Sequence, residues 1–184
     1  MIPVNSATVL LRLLCLAFGT VAGVLFPKHL PLPASRTSAR SSAWVWLDIL
    51  LGICKVVVSC AVALLVVPLP VSVTFLYTGT GILAAAVGAE PDQWQHHLPV
   101  VCTWMILYLP FTGVLACLGG ILLVLAAEVP GVSVLAVLVF AAPMALLQFG
   151  PEGGLVLLAT AAMWCIWQAG YHRLHRENTG LFPG

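Results

Sequence analysis

Long apolar stretches dominate this sequence and constrain its fold more than any other feature. Six of them alternate with short polar segments, at 8–26, 43–67, 71–89, 98–127, 131–149 and 153–170. A helix needs roughly 20 apolar residues to cross about 30 Å of hydrocarbon. In most of these stretches apolar residues cover every side of a helix, as expected for helices surrounded by lipid or protein. We therefore predict an all-α, polytopic membrane helical bundle that forms one domain over residues 1–184.

The scarcity of charge excludes several classes of protein. Hydrophobic residues make up 61% of the chain and charged residues 7%, against about 25% charged residues in typical soluble domains. A soluble enzyme, a disordered chain and a nucleic-acid-binding protein would all need more polar surface than this. Arg12 lies inside the first stretch and no Ala-x-Ala site follows it, so we interpret this stretch as a retained helix rather than a signal peptide.

Lysine and arginine predict the orientation of the chain in the membrane. Five of the seven cations lie in two segments, at 28–40 and 173–176, and such segments face the cytoplasm. Six full crossings would put them on opposite sides. Five crossings plus a half-span would satisfy the rule, and so would seven crossings with the 98–127 stretch broken at Pro110. We predict about five to seven transmembrane helices, at least one of them short or re-entrant, and a cytoplasmic tail at 171–184.

Two charges fall within the second stretch, and two interpretations of them stay open. Asp48 and Lys55 are two helical turns apart, so they share a face but are separated by about 10 Å along the axis. Charged residues at membrane depth often have a functional role. Alternatively, Asp48 lies at the membrane interface and the Lys55 side chain extends toward it.

Histidines, cysteines and paired glycines suggest no metal or cofactor site. His96 and His97 are adjacent in a polar segment with Asp92 nearby, but they lack further ligands, and we interpret this segment as a wet interfacial loop. The six cysteines all lie in apolar stretches without a CxxC pair, as is typical of small hydrophobic residues. Paired or closely spaced glycines at 79–81, 119–120 and 153–154 predict close helix packing.

The C-terminal tail has the highest density of ionisable and hydrogen-bonding side chains. Tyr171-His172-Arg173-Leu174-His175-Arg176-Glu177-Asn178 continues the last helix out of the membrane. On a helix, His175 and Asn178 are three residues apart and therefore neighbours on one face. A basic helix end that only fixes the orientation of the chain is the simpler interpretation.

The string His175-Arg176-Glu177-Asn178 after an apolar helix resembles the C-terminal motif of the bacterial acyl-phosphate:glycerol-3-phosphate acyltransferases, the PlsY family. Gly19-Thr20, the loop at 33–38 and Asp48-Ile49-Leu50-Leu51-Gly52 resemble further family motifs in the same order. The resemblance implies a membrane enzyme that transfers an acyl group from acyl phosphate to glycerol 3-phosphate, without CoA or metal. It also implies that His175 and Asn178 help to bind the substrate.

Two departures separate the chain from this family. Leu51 stands where the family has lysine, and the segment at 90–97 lacks the family's Gly-Gly-Lys-Gly loop for the substrate phosphate. Two carboxylates, Glu90 and Asp92, lie there instead. The chain is therefore expected to be a divergent member, and a non-catalytic relative that binds a lipid or an anion is the alternative. An unrelated small multi-pass membrane protein is the third hypothesis.

Basic and polar residues of the first loop complete the predicted site. Arg36, Ser38 and Arg40 are expected to face the same side of the membrane as His175 and Asn178, since both segments are basic. Arginine suits a phosphate because it is always charged and binds in a bidentate fashion. We predict a substrate-binding pocket for acyl phosphate and glycerol 3-phosphate in a bacterial plasma membrane, with no cofactor, no metal and no nucleic-acid partner.

Overall fold

The computed structural model describes residues 6–25, 42–85, 94–127 and 131–180. Within these ranges the chain is helical, with no strand. The helices are α1 (Ser6–Leu25), α2 (Ser42–Val66), α3 (Val71–Ala85), α4 (Trp94–Tyr108), α5 (Thr112–Ala127), α6 (Gly131–Phe149) and α7 (Pro151–Gly180). The prediction of an all-α protein is confirmed for this part of the chain.

Four of the described helices are long and apolar enough to cross a membrane. They are Ser6–Leu25, Trp46–Val66, Val132–Phe149 and Pro151–Tyr171. Three shorter apolar helices, within α3, α4 and α5, fall below that length. The number of full-length spans in the described ranges is thus lower than the five to seven predicted, whereas the expectation of short segments agrees with α3, α4 and α5.

The long apolar stretch at 98–127 is divided at Pro110, as one of the two predicted alternatives required. Helix α4 ends at Tyr108 and α5 begins at Thr112. Proline has no N–H to donate, and its ring clashes with the carbonyl of the preceding turn, so it interrupts a helix. Gly113 then lies against the backbone oxygen of Met105, which lets α5 fold back along α4.

Successive helices run in alternating directions. Gly19 and Gly23 of α1 lie against Thr78 and Ala85 of α3, so these two helices are parallel, and the short connection 67–70 makes α2 antiparallel to both. The later helices are antiparallel to their neighbours, because residues further along one helix contact residues earlier in the next. Between α4 and α5 the contacts are Cys102–Cys117 and Met105–Gly113. Between α5 and α6 they are Thr112–Gln148 and Gly120–Val137, and between α6 and α7 they are Ala142–Gly154 and Ala145–Gly153.

This alternation defines two ends of the bundle. We call the end where α1, α3 and α7 begin the first end, and the end where α1 stops at Leu25 and α7 runs on to Gly180 the second end. At the first end the turn between α6 and α7 contains Gly150 with φ +82°. L-residues other than glycine rarely adopt this conformation, so glycine suits the reversal.

The α1–α3 interface is formed by glycine. A side-chain carbon at Gly19 would meet the carbonyl oxygen of Thr78, and one at Gly81 would meet the carbonyl oxygen of Leu16. The two backbones therefore approach more closely than any side chain would permit, as small residues allow in membrane helices. This confirms the predicted packing role of the glycines at 79–81.

The core centres on α4, which packs against α2, α3, α5 and α6. Trp104 of α4 is fully buried, lies against Gly79 and donates its indole N–H to the carbonyl of Phe75 at 2.8 Å. Large apolar side chains on the outer surface are exposed, among them Leu65, Phe111 and Leu147. An apolar exterior around an apolar core is the pattern of a protein whose solvent is lipid, so the chain is a helical membrane protein.

Candidate functional site

The residues predicted from sequence to bind substrate fall largely outside the described part of the chain. Arg36, Ser38 and Arg40 lie in 26–41, which is not described. His175 and Asn178 belong to the last turns of α7, whose backbone is helical to Gly180, but their side chains lie outside the described set. The predicted pocket stays a prediction, while the predicted helical continuation over residues 171–178 is confirmed.

The two charges of α2 occupy defined positions. Asp48 is buried, with 9% of its surface exposed. The ammonium of Lys55 donates a hydrogen bond of 2.7 Å to the backbone oxygen of Gly23, in the last turn of α1. The last carbonyls of a helix lack partners within the helix and attract cations. Lys55 therefore joins α2 to the C-terminal end of α1.

His97 is buried rather than exposed in a loop. It lies on α4 with 6% of its surface exposed, and its ring makes edge contacts with Trp164 at 5.3 Å and Trp167 at 6.5 Å between centroids. The interpretation of this segment as a wet loop is wrong at His97, because α4 starts earlier than the apolar stretch does. Within the described ranges no group of three metal-binding side chains occurs.

A polar cluster at the first end joins three helices through Glu152 of α7. One carboxylate oxygen, Oε2, lies 3.0 Å from a guanidinium nitrogen of Arg12 in α1. The other, Oε1, accepts a hydrogen bond of 3.0 Å from the hydroxyl of Tyr77 in α3. The guanidinium also lies over the Tyr77 ring, 5.9 Å from its centroid. Each partner thus contacts the other two.

Helix geometry brings these side chains together. The contact of Gly19 with Thr78 sets the register of the parallel helices α1 and α3, so Arg12 is level with the start of α3 and its long side chain reaches along α3 to the Tyr77 ring. Glu152 is in the first turn of α7, where the positive end of the helix dipole favours a carboxylate. Gly150, with φ +82°, forms the reversal that precedes this turn.

Tyr108 adds a fourth side chain to the cluster. It is the last residue of α4, is 2% exposed, and stacks on Phe149 with 5.0 Å between ring centroids. Its hydroxyl lies against Gly153, the neighbour of Glu152. Among the described residues it finds no hydrogen-bond partner, and neither does Nε of Arg12. We call Arg12, Tyr77, Tyr108 and Glu152 the Glu152 cluster.

The cluster is nearly closed and electrically balanced. The Arg12 side chain is 14% exposed and that of Glu152 is 37% exposed, so the carboxylate opens to the surroundings of the first end while the guanidinium lies inside. One positive and one negative charge cancel. The donors are the five N–H groups of Arg12 and one O–H of each tyrosine, and the charged acceptor is the carboxylate of Glu152.

Sequence reasoning missed this cluster, although part of the signal was present. Arg12 interrupts the first apolar stretch, and Glu152 stands alone between the last two. Charged residues at membrane depth tend to pair with each other, so two opposite charges in a chain with few others were candidates for a pair. The position of the start of α7 beside α1 and α3, which the sequence does not predict, is what brings the two charges together.

No protein-family model, no curated protein and no solved structure matches this chain.

Proposed function

We propose that this protein is a divergent acyltransferase that transfers an acyl group from acyl phosphate to glycerol 3-phosphate at the second end of the bundle. The observation that carries the proposal is the alternating direction of the helices. Helix α1 stops at Leu25, just before the basic loop, at the same end at which α7 continues into His175 and Asn178. Six helices lie between the two basic segments. Because six is an even number, alternating directions support the proposal that both segments lie on one side.

The chemistry of this end suits a phosphorylated substrate. The helical backbone of α7 extends beyond Asn178, so His175 and Asn178 share one helix face. An imidazole and a carboxamide offer hydrogen bonds to hydroxyl and phosphate oxygens, and Arg36 and Arg40 offer permanent positive charge. In the transfer, the glycerol hydroxyl oxygen bonds to the acyl carbonyl carbon, the bond from that carbon to the phosphate oxygen breaks, and the departing phosphate takes up the hydroxyl proton and leaves as inorganic phosphate. The acyl donor is already activated, so no nucleophilic side chain is required.

Orientation in the membrane completes the proposal. We infer seven crossings in a bacterial plasma membrane, with the second end cytoplasmic because it carries the basic segments. Helices α3 and α4 have 15 residues and α5 has 16, so each is only about 23 Å long. The buried faces of α3 and α4 pack against their neighbours, and protein rather than lipid then covers the backbone near their ends.

A non-catalytic relative that binds an anion or a lipid is the second candidate. The observation in its favour is the segment at 90–97, which offers Glu90 and Asp92 and lacks both lysine and paired glycines. Capture of a phosphate usually uses backbone N–H groups freed by glycine together with a cation. In this case Arg36 and Arg40 would hold the anion without promoting transfer.

The test is an assay of the full-length protein, purified and reconstituted in liposomes. Acyl phosphate and labelled glycerol 3-phosphate are added, and labelled lysophosphatidic acid is measured. We expect product from the wild type, and a loss of at least about 100-fold in His175→Ala and Asn178→Ala, the size seen when a positioned polar group is removed. Arg173→Gln is the matched control, since Arg173 lies two residues before His175 and thus on the opposite side of the helix.

Absence of product from folded wild type would overturn the enzymatic proposal. Retained binding of labelled glycerol 3-phosphate, lost in Arg36→Gln/Arg40→Gln, would then support the non-catalytic candidate. Equal activity of His175→Ala and wild type would show that His175 of the tail does not bind the substrate.

A further inference from the structure

We propose that the Glu152 cluster binds a neutral, hydroxyl-bearing group at the first end of the bundle. This site lies at the opposite end from the acyltransferase site and does not depend on it. The ligand class is a polyol, either free in water or as the headgroup of a neutral glycolipid in the adjacent membrane leaflet.

The contacts within the cluster do more than join helices. A purely structural link would need only the Arg12–Glu152 pair and the Tyr77 hydroxyl, which satisfy one another. Tyr108 has no part in that link: its ring packs on Phe149, and its hydroxyl is buried beside Gly153 without a hydrogen-bond partner in the described residues. A buried polar group without a partner is costly, and phenylalanine would pack equally well there. The hydroxyl of Tyr108 is therefore explained best by a ligand that pairs with it.

The donors and acceptors of the cluster indicate what that ligand carries. Nε of Arg12 and the hydroxyl of Tyr108 are donors in need of an acceptor. The carboxylate of Glu152, accessible from outside, has lone pairs left for a donor. A hydroxyl group is both acceptor and donor, so adjacent hydroxyls of a polyol would accept from Tyr108 or Arg12 and donate to Glu152.

The charge balance argues against an ionic ligand. An anion would gain from Arg12 but would be repelled by Glu152 a few ångströms away, and a cation would meet the reverse. Moving an ion into a site of low polarity without a net opposite charge is unfavourable. A neutral ligand avoids this cost, and the Arg12–Glu152 pair orients its hydroxyls from both sides.

Within this nearly closed cluster, the Glu152 carboxylate is the part that is accessible from the first end. Glu152 is the most exposed member of the cluster and Tyr108 the most buried. A ligand hydroxyl would therefore enter past the start of α7 and stop at Tyr108. The hydroxyl itself packs directly on the backbone of Gly153, where a side-chain carbon would collide with it.

The experiment measures binding of two probes to the full-length protein in phosphatidylcholine nanodiscs. Glycerol binding is followed by saturation-transfer NMR, and retention of monoglucosyl-diacylglycerol by native mass spectrometry. Tyr108→Phe removes only the hydroxyl, and Tyr171→Phe makes the same change near the second end. We expect wild type and Tyr171→Phe to bind at least one probe equally, and Tyr108→Phe to bind it about tenfold more weakly, as expected for one lost hydrogen bond.

The two probes separate the two sources. Binding of glycerol assigns the site to a free polyol, and retention of the glucolipid alone assigns it to a lipid headgroup. Thermal unfolding checks that Tyr108→Phe is folded, and we expect its unliganded form to be at least as stable as the wild type. The proposal is overturned if wild type binds neither probe, or if Tyr108→Phe binds as well as wild type does.

Discussion

Two of the connections that hold α1 in the bundle differ in kind. The α1–α3 interface runs along both helices and consists of backbone against backbone, with glycine at 19, 23 and 81. The connection of α1 and α3 to α7 is confined to the first end and consists of polar side chains around Glu152. The first connection depends on the absence of side chains. The second depends on particular functional groups.

The difference shows how membrane helices obtain both stability and function. Lipid is as apolar as the side chains, so close packing of small residues rather than hydrophobic burial stabilises contact between helices. Such packing tolerates no added atoms, but it does not require any particular functional group. The polar cluster contributes less contact area, yet it brings a guanidinium and a carboxylate within 3.0 Å of each other. These properties lead to different responses to mutation.

We expect the largest effect from filling the glycine interface. Gly81→Ala would place a carbon against the carbonyl oxygen of Leu16 and the N–H of Thr20, and backbone atoms of a helix cannot rotate away. The helices must separate, at a cost of about 4 kcal/mol of unfolding free energy, above the usual range for overpacking. Thermal unfolding in detergent measures the loss. Gly119→Ala is the control, because its nearest neighbour is the Phe140 ring at 3.5 Å, and we expect a change within about 1 kcal/mol. Equal effects of the two substitutions would contradict the close approach of α1 and α3.

The second-largest losses of unfolding free energy are expected from breaking the Arg12–Glu152 pair. The loss should be larger when Glu152 is replaced than when Arg12 is replaced. Glu152→Gln leaves the guanidinium of Arg12 without its counter-ion in a largely buried position, which we expect to cost about 3 kcal/mol. Arg12→Met leaves a carboxylate that is 37% exposed and can hydrate, so about 1 kcal/mol is expected. The double variant Arg12→Met/Glu152→Met should be close to wild type, since a buried pair can often be replaced by apolar residues without loss. Additive losses in the double variant would show that the two residues do not interact.

The contact between Gly153 and Tyr108 gives a smaller effect that depends on the pair. Gly153→Ala would push a carbon against the Tyr108 hydroxyl, at a cost of about 2 kcal/mol. Tyr108→Phe removes the obstructing oxygen, so the same alanine should cost about 1 kcal/mol less in that background. The four unfolding free energies of this cycle are measured under one set of conditions. A coupling energy of zero between the two substitutions would show that the Tyr108 hydroxyl does not contact residue 153.

The smallest effect is expected from Tyr77→Phe. It removes one hydrogen bond to a carboxylate that keeps its guanidinium partner and has access to water. We expect a loss of about 1 kcal/mol, seen as a small decrease in the unfolding midpoint. A loss as large as that of Glu152→Gln would mean that Tyr77, rather than Arg12, is the main partner of the carboxylate.

Local features of the sequence predicted most of the helices. Contacts between helices that are distant in the sequence could not be predicted. Apolar length gave the helical class, Pro110 the break between α4 and α5, and the glycines at 79–81 their packing role, because each of these effects acts within a few residues. The burial of His97 was not predictable, because it depends on Trp164 and Trp167 of a distant helix. The same holds for Arg12 and Glu152: hydropathy marks both as unusual but carries no information about which helices lie side by side.

The alternating path of the helices supports both proposals, and labelling from one side of the membrane tests it most directly. The six native cysteines are replaced, and a single cysteine is introduced at Ser38, Gly150 or Asn178 in sealed inside-out vesicles. A membrane-impermeant maleimide is added before and after the vesicles are opened. We predict that Ser38→Cys and Asn178→Cys are labelled in sealed vesicles, whereas Gly150→Cys is labelled only after opening. Labelling of Ser38→Cys and Asn178→Cys from opposite sides would contradict the arrangement and, with it, the shared site at the second end.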